Sequence, residues 1–473
     1  MTRLIVVSNR VTPPTADATG SQGGLAVAIG EALRENGGVW FGWSGQRVPE
    51  FTGQVNLQRA GGVTTATVDL EEQDVDEYYN GYANKTLWPL FHYRIDLTEY
   101  DRSFDAGYAR VNQRFADTLL PIIQPDDIIW VHDYHLIPLA RELRARGVTN
   151  RIGFFLHIPW PPMRLLATLP RHKELVSGLF DYDLVGFQTH EWLEAFCDYF
   201  QREADAEVGD GVMSAFGRTV RIGAFPIGID AGAFKEAAKS AEALAARERM
   251  RESIAGRQMI VGVDRLDYSK GLEERFLGYE RFLADNPERC QEVFLLQIAP
   301  PTRSEIGSYQ EIRNKLDALS GRINGAYAEV DWVPLRYVNR GYPRAVLAGI
   351  YRTARLGLVT PLRDGMNLVA KEYVAAQDPA DPGVLVLSQF AGAALQMPEA
   401  LLVNPFSQEE IAEAIAEGLG MRKAERIRRW EALMHNVESC DVRRWRDDFV
   451  AALEAARLPV AMRPPANGGQ AAA

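Results

Sequence analysis

One pattern limits the fold more than any other. Short apolar, β-branched runs alternate with helical stretches along almost the whole chain. The runs cover residues 4–7, 128–131, 152–156 and 184–187 in the first half, and 259–263, 293–298, 356–359 and 384–387 in the second. Runs this short, without polar alternation, suit strands covered on both faces, as in parallel sheets. Helical periodicity over 234–253 and 409–419 fills gaps between them. Alternating β and α elements imply an α/β fold with parallel sheets. At 473 residues the chain is longer than one core organises, so two doubly wound domains of similar size are expected. The seam falls at Phe225-Pro226-Ile227-Gly228-Ile229-Asp230, where a strand gives way to an Ala- and Glu-rich helix. The Pro-, Gly- and Ala-rich stretch 458–473 lacks a packing pattern and reads as a disordered tail.

Composition narrows the function classes. Residues 1–10 read as a strand rather than a secretory leader, and nothing resembles a run of about 18 apolar residues that would span a membrane. Cys197, Cys290 and Cys440 are far apart, form no metal pattern and suit a reducing, cytoplasmic setting. A net charge of −11 argues against nucleic acid or an anionic membrane as a partner, while leaving room for a local basic pocket.

The chemistry-bearing residues cluster where strands end, the edge at which open parallel sheets bind ligands. Ser8-Asn9-Arg10 ends the first run, and Gly23-Gly24 then opens an apolar helical stretch, where backbone N–H groups can approach an anion. An ordinary turn is the alternative for that glycine pair. Asp133 and His157 each follow a buried run and can meet sugar hydroxyls; with no HExxH or similar set nearby, metal ligation is the weaker reading. Arg265 and Lys270 share the loop after 259–263. Two cations there suit a diphosphate, or else form a surface cluster with Asp264 and Asp267.

The segment from Thr360 to Glu372 is the most informative. A buried run enters a Pro- and Gly-containing loop, and a helix is expected to start near Met366. Its first-turn amides favour phosphate. Glu372, one turn in, can accept from both hydroxyls of a ribose. Asp364 can hold hydroxyls of a sugar, or cap the helix. Tyr79 and Trp88 lie in an aromatic-rich stretch that suits sugar stacking or a core cluster equally. Arg303 follows another buried run and can contact a phosphate, or simply be exposed.

Taken together these blocks resemble the trehalose-6-phosphate synthases. The resemblance rests on Ser8-Asn9-Arg10, Gly23-Gly24-Leu25, Phe41-Gly42-Trp43-Ser44-Gly45, and the blocks 130–135, 153–159, 265–270 and 360–372, and extends from Met1 to about Arg457. It implies a GT-B glycosyltransferase fold, two facing Rossmann-like domains with the substrate cleft between them. The implied boundaries are 1–232 for the acceptor domain, joined by a returning helix at about 441–457, and 233–440 for the donor domain. It implies retaining transfer of glucose from UDP-glucose to glucose 6-phosphate, with no metal and no cofactor.

By the same resemblance Arg10, Tyr79, Asp133 and Arg303 bind glucose 6-phosphate, and Trp88 and Ile158 select the anomer. Gly23, Gly24, Arg265, Lys270, Tyr342, Leu368, Val369, Ala370, Lys371 and Glu372 bind UDP-glucose. Asp133, His157, Arg265, Lys270 and Asp364 carry the transfer. Tyr342 stands where some relatives have phenylalanine. The expected partners are small molecules, with a homo-oligomer, dimer or tetramer, also open. Competing readings are a sibling transferase using glycerol 3-phosphate and a nucleotide-sugar-binding regulator without turnover. A nicotinamide oxidoreductase is disfavoured because no GxGxxG follows the first strand.

Overall fold

The computed structural model describes residues 3–11, 29–30, 33, 38–60 and 62–456. The Gly23-Gly24 pair and the stretch 458–473 lie outside the described residues. The remainder forms two sheets. The first comprises β1 (Leu4–Arg10), β2 (Gly38–Val48), β3 (Asn56–Ala60), β4 (Val63–Glu71), β5 (Ile128–His132), β6 (Arg151–Phe155), β7 (Leu184–Phe187), β8 (Glu207–Gly209), β9 (Val212–Ala215) and β10 (Arg218–Ala224). The second comprises β11 (Gln258–Val263), β12 (Val293–Ile298), β13 (Leu335–Val338), β14 (Leu356–Val359), β15 (Val384–Ser388) and β16 (Leu401–Val403).

Strand order in the first sheet is β3-β4-β2-β1-β5-β6-β7-β10-β9-β8, with parallel pairing except at its edges, where β3–β4, β10–β9 and β9–β8 pair antiparallel. The second sheet, β13-β12-β11-β14-β15-β16, is parallel throughout. Every apolar run expected as a strand is one. Strands β2 to β4 escape the apolar-run pattern, because Gly, Trp, Ser, Thr and charged residues are mixed along them. Two expectations need correction. The helix expected over 234–253 is two, Ala231–Ala237 and Ala241–Ile254, because Ser240 accepts the N–H of Ala243 and starts a new helix. The helix expected near Met366 is Leu368–Ala376, and its cap is Asn367.

The chain crosses between the sheets through 225–230 and returns near its end. The helix Val442–Glu454 lies on the first sheet, where Phe449 stacks on Trp130 with ring centres 4.6 Å apart. Gly153 and Gly186 make room for it: a Cβ on either would come within 2.8 Å of Phe449. The two crossings touch at Gly228, whose added Cβ would sit 2.0 Å from the Cys440 carbonyl oxygen. Among the described residues, no helix is long and apolar enough to cross a membrane.

Candidate active site

Loops at the carboxyl ends of the two sheets meet at the crevice between them: Arg303, after β12, bonds to Tyr134, after β5, and Gly365, after β14, lies against the His157 carbonyl, after β6. At the first sheet, β5 is followed directly by Asp133, whose backbone has φ +76°, a left-handed value that is costly for a residue other than glycine. This turn lets its Oδ1 accept the His157 N–H at 3.2 Å. Burial pushes the Asp133 carboxyl up to about 6, against the pull of Arg303 and Arg265.

Tyr79 sits on an unusual element, the π-helix Val75–Leu87, which runs into a short turn carrying Trp88. Long π-helices are rare and often mark functional sites. Tyr79 stacks edge-on against Trp43, at 5.5 Å, and face-on against His135, at 6.1 Å. Arg10 lies 5.7 Å from the Trp43 ring centre.

Arg303 comes from the loop after β12, at φ +48°, and reaches into the first half of the chain. Its guanidinium lies over Trp88 and donates to Tyr134 Oη at 3.1 Å, to Tyr309 Oη and to Asp267 Oδ2 at 3.4 Å. Its side chain is 5% exposed, so the surface alternative is excluded. Tyr134 in turn donates to Asn84 Oδ1 at 2.8 Å, which ties this cation to the π-helix. Burial alone would raise Asp267, yet Arg303, Arg265 and Lys270 hold it down to about 2.

The other cations stand after β11. Lys270 Nζ donates to Asp364 Oδ2 at 2.5 Å. Asp364 would be raised by burial, but Lys270 holds it below its ordinary value. Asn367, at φ +75°, caps the helix by accepting from Ala370 N at 3.3 Å and donates to Asp364 at 3.1 Å. The capping alternative for Asp364 is thereby excluded. The surface-cluster alternative for Arg265 and Lys270 also fails. Asp264 is buried against Arg275 at 2.7 Å, and Asp267 is buried against Arg303. Arg265 itself is exposed, 5.6 Å from the Trp88 ring centre, and makes no ion pair among the described residues.

On the helix Leu368–Ala376, Leu368, Val369 and Glu372 are half-buried and Ala370 is buried. Burial pushes Glu372 up to about 7, offset only in part by Arg344. Tyr342 is half-buried beneath Arg340, at 4.8 Å. Lys371 is different: its side chain is buried and points to the link between the sheets, donating to the Ile227 carbonyl and to Gln396 Oε1, each at 2.7 Å.

Both ring nitrogens of His157 are engaged within the protein. Gln188 Oε1 accepts the Ile227 N–H at 3.0 Å, which turns its Nε2 toward His157 Nδ1 at 3.2 Å. His157 Nδ1 therefore accepts, and its Nε2–H donates to His132 Nδ1 at 2.9 Å. Burial pushes His157 down to about 3, so it is neutral at physiological pH. Through these two contacts the ring holds the loop, and the His157 carbonyl faces Gly365. A Cβ on Gly365 would lie 1.9 Å from that oxygen. Ile158 is buried beside it.

Sequence reasoning missed Trp43, Tyr134, Tyr309, Asn84, Gln188 and His132 as site residues. Trp43, His132 and Tyr134 lay within the sequence blocks named above; an isolated Gln188 carries no signal at all. Among the described residues, no group of three or more His, Cys, Asp or Glu could hold a metal ion.

Comparison with known proteins extends this geometry. The sequence profile of glycosyltransferase family 20 matches residues 2–455. A trehalose-6-phosphate synthase of Sinorhizobium fredii is 52% identical over 458 residues, covering 96% of this chain and 99% of that protein. The solved structure of an α,α-trehalose-phosphate synthase (UDP-forming) from Burkholderia xenovorans in complex with glucose-6-phosphate superposes with a TM-score of 0.93 at 51% identity, covering 96% of this chain and 100% of that one. An Escherichia coli structure described as bound with UDP-2-fluoro glucose gives 0.90 at 47% identity, covering 96% and 99%.

Proposed function

The chain belongs to glycosyltransferase family 20, and on that premise we propose that it transfers glucose from UDP-glucose to glucose 6-phosphate, yielding α,α-trehalose 6-phosphate and UDP. The observation that carries this reading is the placement of two sets of cations around the crevice. Arg303, fixed on Trp88, and Arg10, near Trp43, suit a phosphate monoester on the acceptor. Arg265 and Lys270, on the loop after β11, suit the diphosphate of the donor.

Asp133 and Tyr79 hold acceptor hydroxyls in this scheme, while Trp88 and Ile158 shape the pocket for one anomer. Asp364 and the His157 loop hold the donor glucose. Glu372 takes the ribose diol, and Tyr342 with the backbone of Leu368, Val369, Ala370 and Lys371 completes the nucleotide site. Gly23 and Gly24 belong to the donor site in the same reading.

The bond from glucose C1 to the β-phosphate oxygen breaks, and a bond from C1 to acceptor O1 forms on the same face, so the α configuration is retained. The acceptor O1 proton passes to the leaving phosphate oxygen. Negative charge grows on that diphosphate, so Arg265 and Lys270 stabilise the transition state more than the bound donor. These cations supply the charge that a metal would otherwise bring, and the reading assigns no cofactor. Closure of the two halves excludes water and limits donor hydrolysis. The working domains are 1–232 with the returning helix, and 233–440, in a cytoplasmic enzyme.

The test is the initial rate of UDP release from UDP-glucose, with glucose 6-phosphate or glycerol 3-phosphate as acceptor, with and without EDTA. Release only with glucose 6-phosphate and unchanged by EDTA is expected. Release only with glycerol 3-phosphate, or none with either, overturns the assignment.

A further inference from the structure

The link 225–230 joins the sheets, and the backbone of Ile227 is gripped from both sides. Its N–H donates to Gln188, which donates onward to His157 at the first sheet. Its C=O accepts from Lys371, in the first turns of the helix that follows β14. All three residues are nearly sealed from solvent: Ile227 is 2% exposed, Gln188 1% and Lys371 1%. Beside them, Gly228 touches the second crossing at Cys440. Any rotation of one sheet against the other therefore bends the chain next to these hydrogen bonds.

The chemistry of Lys371 is unusual. A buried amine is costly unless well partnered, and here its hydrogen-bond partners are neutral oxygens, the Ile227 carbonyl and the Gln396 amide. A methionine would fill the same space without burying a cation. What the amine adds is direction, because it fixes Ile227 relative to the helix.

We propose that Lys371 and Gln188 are positioning residues that act through Ile227, holding the donor-side helix and the His157 loop in one register and His157 in its Nε2–H form. Lys371 thus serves the donor site from behind, with its side chain in the link rather than on the nucleotide. This inference rests on the proposed function for its kinetic readout but not for its spectroscopic one.

The experiment uses the full chain with Lys371→Met, Gln188→Leu and the double variant. Steady-state transfer is measured alongside 15N spectra of the histidine rings. Each single variant is expected to lower kcat about tenfold or more, with the acceptor KM within about twofold, since a small misplacement at the reacting centre is felt mainly in turnover. UDP release without acceptor should rise as a fraction of turnover. The double variant should lose no more than the worse single one, because both act through one residue. In the spectra, Lys371→Met should shift the His157 ring signals although it does not touch that ring.

Should Gln188→Leu fail to fold, Gln188→Glu keeps the volume and the acceptor for Ile227 but offers His157 a second acceptor. It should switch His157 to the Nδ1–H form. Unchanged kcat with only a lower Tm, losses that multiply in the double variant, or His157 signals identical to wild type in Lys371→Met would each overturn the proposal. A wild-type chain without transfer activity would sink the proposed function, while the ring signals would still decide this one.

Discussion

The guanidinium of Arg303 lies 4.0 Å from the ring centre of Trp88, so a loop of the second sheet is seated on an aromatic of the first. The contact combines stacking with a fork of hydrogen bonds to Tyr134, Tyr309 and Asp267. Lysine cannot reproduce both. Arg303→Lys and Arg303→Ala should each raise the glucose 6-phosphate KM by roughly tenfold or more, the scale of a lost hydrogen bond to a charged group. The UDP-glucose KM should stay within about twofold. Equal changes in both would remove Arg303 from the acceptor site. Arg303→Ala should also lower Tm, because it takes a buried cation away from buried Asp267.

Arg265 and Lys270 should separate when stability and turnover are measured together. Lys270 neutralises Asp364, whereas exposed Arg265 has no ion pair among the described residues. Both alanine variants should lose kcat by roughly a hundredfold, as expected for groups that stabilise charge in the transition state. Only Lys270→Ala should lower Tm appreciably. Unchanged kcat in Arg265→Ala would end its assigned role.

The carboxyl of Glu372, raised to about 7 by burial, gives a pH dependence of known sign. A ribose diol donates to the ionised form, so UDP affinity measured by calorimetry should strengthen about tenfold from pH 6 to pH 8. The free protein should change in the other direction. A carboxyl whose folded pKa is raised contributes stability below its unfolded pKa, and that contribution is lost as pH rises through 7. Glu372→Gln should flatten both trends; a pH profile of affinity that survives the substitution would clear Glu372 of the role.

Gly365→Ala places a methyl 1.9 Å from the His157 carbonyl oxygen, a backbone atom that cannot rotate away. The two halves must part to admit it. Transfer to glucose 6-phosphate should fall by roughly a hundredfold or more, given the sensitivity of reaction to small displacements, while far-UV circular dichroism stays unchanged. Wild-type activity in this variant would mean the contact is not needed for catalysis.

How much of this was legible in the sequence follows from physical cause. The strands sealed on both faces were readable, since sealing demands continuous apolar runs. Their ends located Asp133, His157, Arg265, Lys270, Arg303 and Asp364 near one crevice. Strands β2 to β4 were not readable, because their residues mix aromatic, glycine and charged types. Tyr79 and Trp88 stayed ambiguous because a π-helix does not follow the ordinary helical period. The left-handed backbone at Asp133, Arg303 and Asn367 leaves no mark in residues other than glycine. The two-sided grip on Ile227 was invisible, since it joins residues 188, 227 and 371 by geometry alone.

The helix Val442–Glu454 fills the groove that Gly153 and Gly186 leave open on the first sheet. During synthesis that sheet emerges from the ribosome long before its cover does. Until the later residues appear, Trp130 and Phe155 lack the Trp445 and Phe449 rings that pack against them. The nascent first half thus carries a bare aromatic face for the time taken to make some two hundred residues, at about 5–20 residues per second a wait of roughly 10–40 seconds. A nascent chain at that stage is a natural client for a chaperone that shields apolar surface.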